Sequence, residues 1–370
     1  MTPERPSVCF VIPTRDRPDE LACTLAVLGT LDIDAHAVVI DNGSETPPLV
    51  PGSLRNSMDV ELECLTFNEG TGSRNRVIGR TDADWIVMLD DDSYPVDDGF
   101  VDALAEAPDG ASVVSADVRL PNAGTREMGG LPEVFVGCGV AIRRNVFESL
   151  GGYDASFGYY AEEYDFAARV LLDGGSVRFD PRFRVDHMKS PSGRDLNVIL
   201  EHLVRNNGWV MQRYAPDAER RSQLREARGR CRAIAEHEDA TPGYARGLHE
   251  LRATLHTQSR TPMPQAMFDR FTGLAAAREA LQTAYAAGVF ETAAVIDEGK
   301  NAWCVRRVLD ELGVRIVCDS SADALVIGTM SPGPMLDSVD RWAQCDRRVI
   351  APWCSARDVR PAHAPMSRVG

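Results

Sequence analysis

The sequence predicts an α/β fold: a mostly parallel, doubly wound sheet, then a helical segment and a small C-terminal α/β module. In the first 90 residues short apolar runs alternate with stretches of helical periodicity, which is the pattern of parallel strands joined by crossover helices. A region rich in Arg and Glu at helical spacing follows later, and a second series of short apolar runs begins near residue 293. We therefore expect three parts, residues 1–192, 193–262 and 263–370.

Four apolar runs are predicted to be the first strands of the main sheet. They are VCFVI (8–12), AVVI (37–40), LECLTF (62–67) and WIVML (85–89). Between them, residues 18–31 have leucines at helical spacing behind Pro18, and residues 71–80 are also predicted to be helical.

The later elements follow the same periodicities. The strands predicted here are VFVGCGVAI (134–142), SVRFD (176–180), FRVDH (183–187) and, in the C-terminal module, residues 293–296, 314–317, 324–328 and 348–351. The predicted helices cover residues 143–150, 162–172 and most of 195–258, with breaks at Pro216 and around Thr241. TPMPQ (261–265) is interpreted as a linker.

Composition limits the classes of function. The 370 residues carry a net charge of −15, which argues against a general nucleic-acid binder because such a protein needs a basic face. The nine cysteines are odd in number and form no CxxC pair, so free thiols in a reducing compartment are expected. With no secretory signal and no apolar run of about 18 residues, we expect a cytoplasmic protein, and peripheral membrane contact is left open.

Polar clusters follow each of the first four predicted strands. They are Thr14 to Asp16, Asp41 with Asn42, Asn68, and the triplet Asp90 to Asp92. Because ligands of such sheets bind beyond the carboxyl ends of the strands, the four clusters together predict a ligand crevice.

The triplet of Asp90, Asp91 and Asp92 has the chemistry of a site for a hard divalent cation, Mg²⁺ or Mn²⁺. Such a cation neutralises the charge that develops on a departing diphosphate. The alternative is a solvated acidic turn or a helix N-cap. His187, which follows the strand-like FRVD, is either a further metal ligand or a packed histidine.

A second pair of carboxylates, Glu162 and Glu163, begins a predicted helix after three aromatic residues, Phe157, Tyr159 and Tyr160. In an aromatic, sugar-stacking surface one of the two could accept a proton from a hydroxyl group. The alternative is that both merely stabilise the helix dipole.

Six motifs in one order resemble the inverting glycosyltransferases of family 2, which have the GT-A fold. The motifs are FVIPTRDRPDELACTL, VVIDNGS, NEGTGSRNRVIGR, IVMLDDD, GGYDASFGYYAEEYDFAARV and the VDH that follows. HLVRNNGWVMQRYAP resembles the helical tail of rhamnosyltransferase-like members. The resemblance covers about the first 215 residues and leaves the C-terminal module uncovered.

The resemblance implies a role for each matching residue. Those implied to bind the donor are Pro13, Thr14 and Arg15 beside the nucleotide, Asp41 at the base, Asn68, Arg74 near the ribose or diphosphate, Asp90 nearer the ribose, and Asp91. Asp92 and His187 are implied to bind the metal. The family commonly has Glu-Asp, with the Asp as catalytic base, where this chain has Glu162-Glu163, so either could be the base.

The implied activity is the transfer of a sugar from a UDP-, dTDP- or GDP-linked donor to a hydroxyl of a small molecule or glycan, with inversion by single displacement. A sugar nucleotidyltransferase and a non-catalytic nucleotide-sugar or glycan binder are the alternatives. For the C-terminal module we expect packing or homodimerisation, or else a role in shaping the acceptor site.

Overall fold

The computed structural model describes residues 5–189 and 195–353, which fall into two compact units, Met1–Thr272 and Gly273–Gly370. The expected boundary between residues 192 and 193 lies outside the described residues. Among the helices described, none combines the length and apolar character needed to span a membrane.

The first unit is a nine-stranded sheet with helices, followed by a group of helices. In chain order its elements are β1 (Val8–Thr14), α1 (Pro18–Leu28), β2 (Ala35–Asp41), β3 (Val60–Cys64), a 3-10 helix (Gly70–Val77), β4 (Trp85–Met88), β5 (Ser93–Pro95), α2 (Gly99–Ala105), β6 (Ala111–Leu120), β7 (Thr125–Arg126), β8 (Val140–Arg143), α3 (Arg144–Ser149), a 3-10 turn (Ala155–Phe157), α4 (Glu162–Leu172), β9 (Ser176–His187), α5 (Leu196–Tyr214), α6 (Arg220–His237), α7 (Thr241–Thr254), a further 3-10 turn (Leu255–Thr257) and α8 (Gln265–Thr272).

The strand order is β3-β2-β1-β4-β8-β6-β9-β5, and β7 pairs with β6 at the side. Strands β3, β2, β1 and β4 are mutually parallel, β8 is antiparallel to both of its neighbours, and β5 is antiparallel to β9. The parallel half agrees with the alternation of strands and helices in the sequence, and the α/β fold class is confirmed. Its core is apolar on both faces of β1 and β4, where Phe10, Ile12 and Val87 are fully buried.

Three predicted elements differ in the structure. The stretch 71–80 forms a 3-10 helix rather than an α-helix, and it begins at Gly70, whose φ of +62° a residue with a Cβ rarely adopts. The predicted strand 134–142 is reduced to β8, which begins after Gly139. SVRFD and FRVDH are one strand, β9, because Pro181 lies at an irregularity of the pairing with β6, where no ladder hydrogen bond is required of it. Strand β6 and helix α2 were not predicted.

The helical segment is part of the first unit. Helix α5 packs against α6 and α7, and its Trp209 is buried with its ring 5.6 Å from that of Phe157. The face that carries Trp209 and Val210 is therefore used for packing rather than for a lipid surface. The sequence assigned residues 263–272 to the C-terminal module, whereas α8 packs against α4, with Phe271 against Tyr164.

The second unit is a small parallel α/β module, as expected. Its elements are α9 (Leu274–Ala287), β10 (Thr292–Ile296), α10 (Ala302–Glu311), β11 (Arg315–Ile316), a 3-10 turn (Asp319–Ser321), β12 (Ala324–Ile327), α11 (Pro332–Trp342) and β13 (Val349–Ile350). The strand order is β11-β10-β12-β13, and each pair is parallel. Its apolar core lies around β12, where Leu325, Val326 and Ile327 are fully buried.

Candidate functional site

The polar residues after β1 and β4 meet at the carboxyl edge of the main sheet. Because β1 and β4 are adjacent and parallel, Thr14 at the end of β1 reaches the acidic triplet, and its Oγ1 donates to Oδ2 of Asp91 at 2.9 Å. Thr24 on α1 donates to the carbonyl of Asp91 at 2.7 Å. The turn is closed by Ser93, whose Oγ accepts from the amide of Asp90 at 2.8 Å.

Arg17 forms ion pairs with two of the three aspartates. Its Nη1 lies 2.6 Å from Oδ1 of Asp91, and its Nη2 lies 2.7 Å from Oδ2 of Asp92. Burial nevertheless raises the pKa of Asp91 to about 7, and Arg17 and Thr14 only partly offset that rise. The triplet therefore carries less than three full negative charges at neutral pH.

The third aspartate, Asp90, pairs with buried Arg74 on the 3-10 helix. Nη2 of Arg74 lies 2.5 Å from Oδ1 of Asp90 and donates to the carbonyl of Leu89 at 3.0 Å. Burial lowers the pKa of Arg74, but the ion pair with Asp90 outweighs it and raises that pKa. Arg74 thus lies close enough to interact electrostatically with both the triplet and the Glu162-Glu163 pair.

His187 is brought to the triplet by strand pairing. Strands β5 and β9 are antiparallel with Ser93 opposite His187, so Nε2 of the imidazole lies 3.1 Å from Oδ1 of Asp92. This carboxylate oxygen is buried and has no hydrogen bond of good geometry within the described part of the chain. Burial raises the pKa of Asp92, but His187 and Arg17 outweigh it and hold that pKa well below its usual range.

The other ring nitrogen of His187 faces Glu127. Nδ1 lies 3.2 Å from Oε2 of Glu127, which also accepts from Nζ of Lys189. Burial lowers the pKa of His187, whereas Cys138 and the two carboxylates raise it. Since burial raises the pKa of Cys138 and keeps it a neutral thiol, we attribute the rise for His187 to Asp92 and Glu127. A carboxylate behind a histidine is the usual arrangement that orients a metal-binding imidazole.

The donor set fits a divalent cation. Oδ1 of Asp92 lacks a hydrogen bond and faces Nε2 of His187, whose proton would be replaced by the ion. A second grouping is also present, because ligand atoms of Asp90, Cys138 and His187 lie within 4.8 Å of one another. Cys138 Sγ is 3.4 Å from Nδ1, the nitrogen that already faces Glu127, so the geometry favours Asp92 with His187 Nε2.

The residues expected at the nucleotide form the rest of this edge. Asp41 is buried at the end of β2 and accepts hydrogen bonds from the amide and hydroxyl of Ser44. Asn68 accepts from the amide of Gly70 at 2.8 Å and from the hydroxyl of Tyr159 at 2.9 Å. Pro13 lies in β1 next to Thr14, and Arg15 is exposed, with Asp16 as its ionic neighbour.

The Glu162-Glu163 pair begins α4, and the two carboxylates have different surroundings. Glu162 is buried, and its Oε2 has no hydrogen-bond partner among the residues described. Burial and the charge of Glu163 raise the pKa of Glu162 well above its ordinary value. Glu163 is only half-buried. Burial therefore favours the neutral form of Glu162, and Glu163 is the carboxylate that solvent and a ligand can reach.

The aromatic residues before this pair have different roles. Phe157 is fully buried and belongs to the core, so the expectation that it contributes to a sugar-stacking surface is wrong. Tyr159 and Tyr160 are each 39% exposed and are available to a ligand.

Sequence reasoning missed Arg17, Glu127 and Cys138. Arg17 lies within the motif PTRDRPDE, and an Arg in a polar cluster after a strand was a usable signal. Glu127 and Cys138 gave no local signal, because their contact with His187 spans 60 and 49 residues of chain.

Comparison with known proteins supports the family. Residues 9–164 match the sequence profile described as glycosyl transferase family 2. The matched stretch runs from β1 to the start of α4 and includes the acidic triplet and the Glu162-Glu163 pair. A search of curated proteins found no significant match to the sequence.

Solved structures similar to the chain include GalNAc-T7, a mannosyltransferase and TarS. The structure of GalNAc-T7 with UDP, GalNAc and Mn²⁺ has a TM-score of 0.50 and 15% identity, over 69% of this chain and 58% of that one. The mannosyltransferase PcManGT of Pyrobaculum calidifontis, in complex with GDP-Man and Mn²⁺, has a TM-score of 0.47 and 18% identity, over 77% and 84%. Residues 1–349 of TarS from S. aureus, in complex with UDP, have a TM-score of 0.43 and 18% identity, over 60% and 70%. The likeness to GalNAc-T7 supports the predicted GT-A fold.

Proposed function

We propose that the protein is a metal-dependent, inverting glycosyltransferase that transfers a hexose from a nucleoside-diphosphate sugar to an acceptor hydroxyl by single displacement. The observation that carries the proposal is the buried Oδ1 of Asp92, which has no hydrogen bond of good geometry among the described residues and lies 3.1 Å from Nε2 of His187, in a chain whose residues 9–164 match the family 2 profile. The resemblance of α5 to the tail of rhamnosyltransferase-like members suggests a deoxyhexose as the first donor to test.

On the donor side, acidic and basic side chains lie next to one another at the carboxyl edge of the sheet. Asp41, Asn68 and Pro13 would face the nucleoside, and Arg74 and Arg15 would face the diphosphate. When bound by Asp92 and His187, Mn²⁺ or Mg²⁺ would neutralise the charge that develops on the leaving diphosphate.

On the acceptor side, Glu163 is the base. Its carboxylate is partly exposed, whereas its neighbour Glu162 is buried and neutral. Glu163 takes the proton of the acceptor hydroxyl as the oxygen attacks the anomeric carbon. The bond between that carbon and the diphosphate breaks, and the nucleoside diphosphate leaves from the opposite face. Glu163 carries the same carboxylate as the family's usual Asp on a side chain that is one methylene longer.

The proposal is tested by donor binding and transfer measured separately. We expect Mn²⁺-dependent binding of one of UDP-, dTDP- or GDP-linked sugars by thermal shift, and release of the nucleoside diphosphate when an acceptor is added. Asp92→Ala should abolish Mn²⁺-dependent binding, because it removes the orphaned oxygen. Glu163→Gln should keep donor binding but lower turnover about 10²- to 10⁴-fold, the usual contribution of a general base.

Two results would contradict the proposal. Near wild-type turnover of Glu163→Gln would rule out Glu163 as the base. Donor binding with neither hydrolysis nor transfer would instead indicate a nucleotide-sugar-binding protein, the alternative left open by the Glu-Glu pair.

A further inference from the structure

The loop that leads into the carboxylate pair is held in an unusual backbone conformation. Tyr160 and Ala161, directly before Glu162, have φ angles of +67° and +65°. Two consecutive residues with a Cβ in the left-handed region are costly, about 1 to 3 kcal/mol each, and persist only where the surroundings impose them. Contacts with the surrounding structure therefore impose this conformation on the loop.

The side chain of Asn206 on α5 provides those contacts. It is fully buried, and its Nδ2 lies 3.0, 2.8 and 2.7 Å from the carbonyl oxygens of Phe157, Tyr159 and Tyr160. A primary amide has two N–H groups, so three carbonyls share two donors. The amide is held in the donating orientation because Nε of Arg205 donates to Oδ1 of Asn206 at 2.8 Å.

Other contacts connect the same loop to the donor side. The amide of Thr71 donates to the carbonyl of Gly158 at 2.8 Å, and a Cβ at Gly70 would lie 2.4 Å from that oxygen. The hydroxyl of Tyr159 donates to Asn68. The loop therefore joins the 3-10 helix that carries Arg74 to the helix that carries Glu163, and buried polar residues hold it from the 3-10 helix, through Thr71, and from α5, through Asn206.

We propose that Asn206 is a positioning residue. Through the three carbonyls it holds the Phe157–Ala161 loop in its left-handed conformation and thereby sets the place of the Glu163 carboxylate. The kinetic consequence rests on the proposed function of Glu163, whereas the loop contact does not. Asn206, which positions the carboxylate of Glu163, would thus lie in the helical segment, outside residues 9–164 that match the family profile.

The decisive substitution is Asn206→Asp. It keeps the shape of the side chain and its acceptor for Arg205, but it puts a carboxylate oxygen against three carbonyl oxygens. Asn207→Asp is the matched control, since Asn207 is the next residue of the same helix, is also buried, and donates to the carbonyl of Leu203 instead of to the loop.

Two measurements separate the parts of the inference. Hydrogen exchange of the amides from residue 157 to 165 reports on the loop itself, whether or not the protein is a glycosyltransferase. Steady-state kinetics then reports the effect on Glu163, because a displaced base lowers kcat and leaves the donor KM unchanged. A displacement of about 1 Å can cost on the order of 10²-fold in rate, so we expect kcat to fall at least about 10-fold.

The inference is supported if Asn206→Asp accelerates exchange in this segment and lowers kcat with donor KM within about twofold, while Asn207→Asp does neither. Unchanged exchange, or the same change in Asn207→Asp, would overturn it. If Asn206→Asp does not fold, Asn206→Ala replaces it, and failure of both to fold would overturn positioning in favour of a general role in stability. If the wild type transfers no sugar, the proposed function fails and hydrogen exchange alone decides the loop contact.

Discussion

The contact between Glu127 and His187 leads to a quantitative prediction. Glu127→Gln keeps the size of the side chain but removes the charge that faces Nδ1 of His187 at 3.2 Å. The amide can present either its oxygen or its NH₂ group to the ring, so the imidazole is no longer held with Nε2 free for a metal. The substitution also removes the carboxylate that pairs with the ammonium of Lys189.

The magnitude follows from the geometry. Loss of a carboxylate that orients a metal-binding histidine typically costs 10- to 100-fold in metal affinity, so we expect a loss of about 1.4 to 2.7 kcal/mol in Mn²⁺ binding.

The substitution also lowers the free energy of unfolding. Burial raises the pKa of Glu127, but His187 and Lys189 outweigh it and lower that pKa to about 2, from 4.5. This difference corresponds to at most about 3 kcal/mol, an upper limit because His187 also interacts with Asp92.

The sign of the pH dependence is determined by the lowered pKa. The stability that Glu127 contributes is present above pH 4.5 and is lost as the pH falls towards about 2. Glu127→Gln should therefore be less stable than the wild type at pH 7, and the difference should shrink as the solution is acidified below 4.5.

The assay is a titration with Mn²⁺, followed by calorimetry and by the electron paramagnetic resonance signal of the free ion. Glu133→Gln is the control, because Glu133 forms a two-pronged ion pair with Arg270 and does not contact His187. Wild-type Mn²⁺ affinity in Glu127→Gln, or an equal loss in Glu133→Gln, would refute the reasoning.

Two further predictions concern charges at the same edge. Glu162→Gln should raise the melting temperature at pH 8 and not at pH 4. Above pH 4.5 the unfolded chain loses the proton of Glu162, and because folding raises the pKa of this group, the chain must take the proton up again in order to fold. Gln removes this cost to stability. An equal change at both pH values would contradict the buried, neutral state of Glu162. Arg17→Gln should lower the free energy of unfolding by about 1 to 3 kcal/mol, less than for a fully buried pair because Arg17 is one-third exposed. Mn²⁺ should raise the melting temperature of this variant by more than it raises that of the wild type, because the ion replaces the missing cation. Equal rises in the two proteins would count against a metal at Asp92.

Much of the first half of the fold could be predicted from local pattern. Strands β1, β2 and β4 are continuous apolar runs followed by polar residues, and β3 was predicted two to three residues too late in the chain. Where neighbouring strands are parallel, the chain order of the motifs is enough to place their ends at one edge. Strand β6 was not predicted and β8 was predicted too long, because both lie in the mixed half of the sheet, where pairing partners are distant in sequence.

The sequence by itself determined the composition of the site. A run of apolar residues ending in Asp90, Asp91 and Asp92, and the order of the six motifs, were enough to place these carboxylates at the carboxyl edge of the main sheet. Local chemistry could do this because each cluster follows its own strand directly.

Only the tertiary structure decided which charges neutralise one another. Arg17 reaches Asp91 and Asp92 across 74 and 75 residues, and His187 reaches Asp92 because antiparallel pairing places it opposite Ser93. The state of Glu162 was likewise decided by burial, and the conformation of its loop by Asn206 on α5. Such contacts depend on strand register and on the packing of α5, and neither is encoded in a local window of sequence.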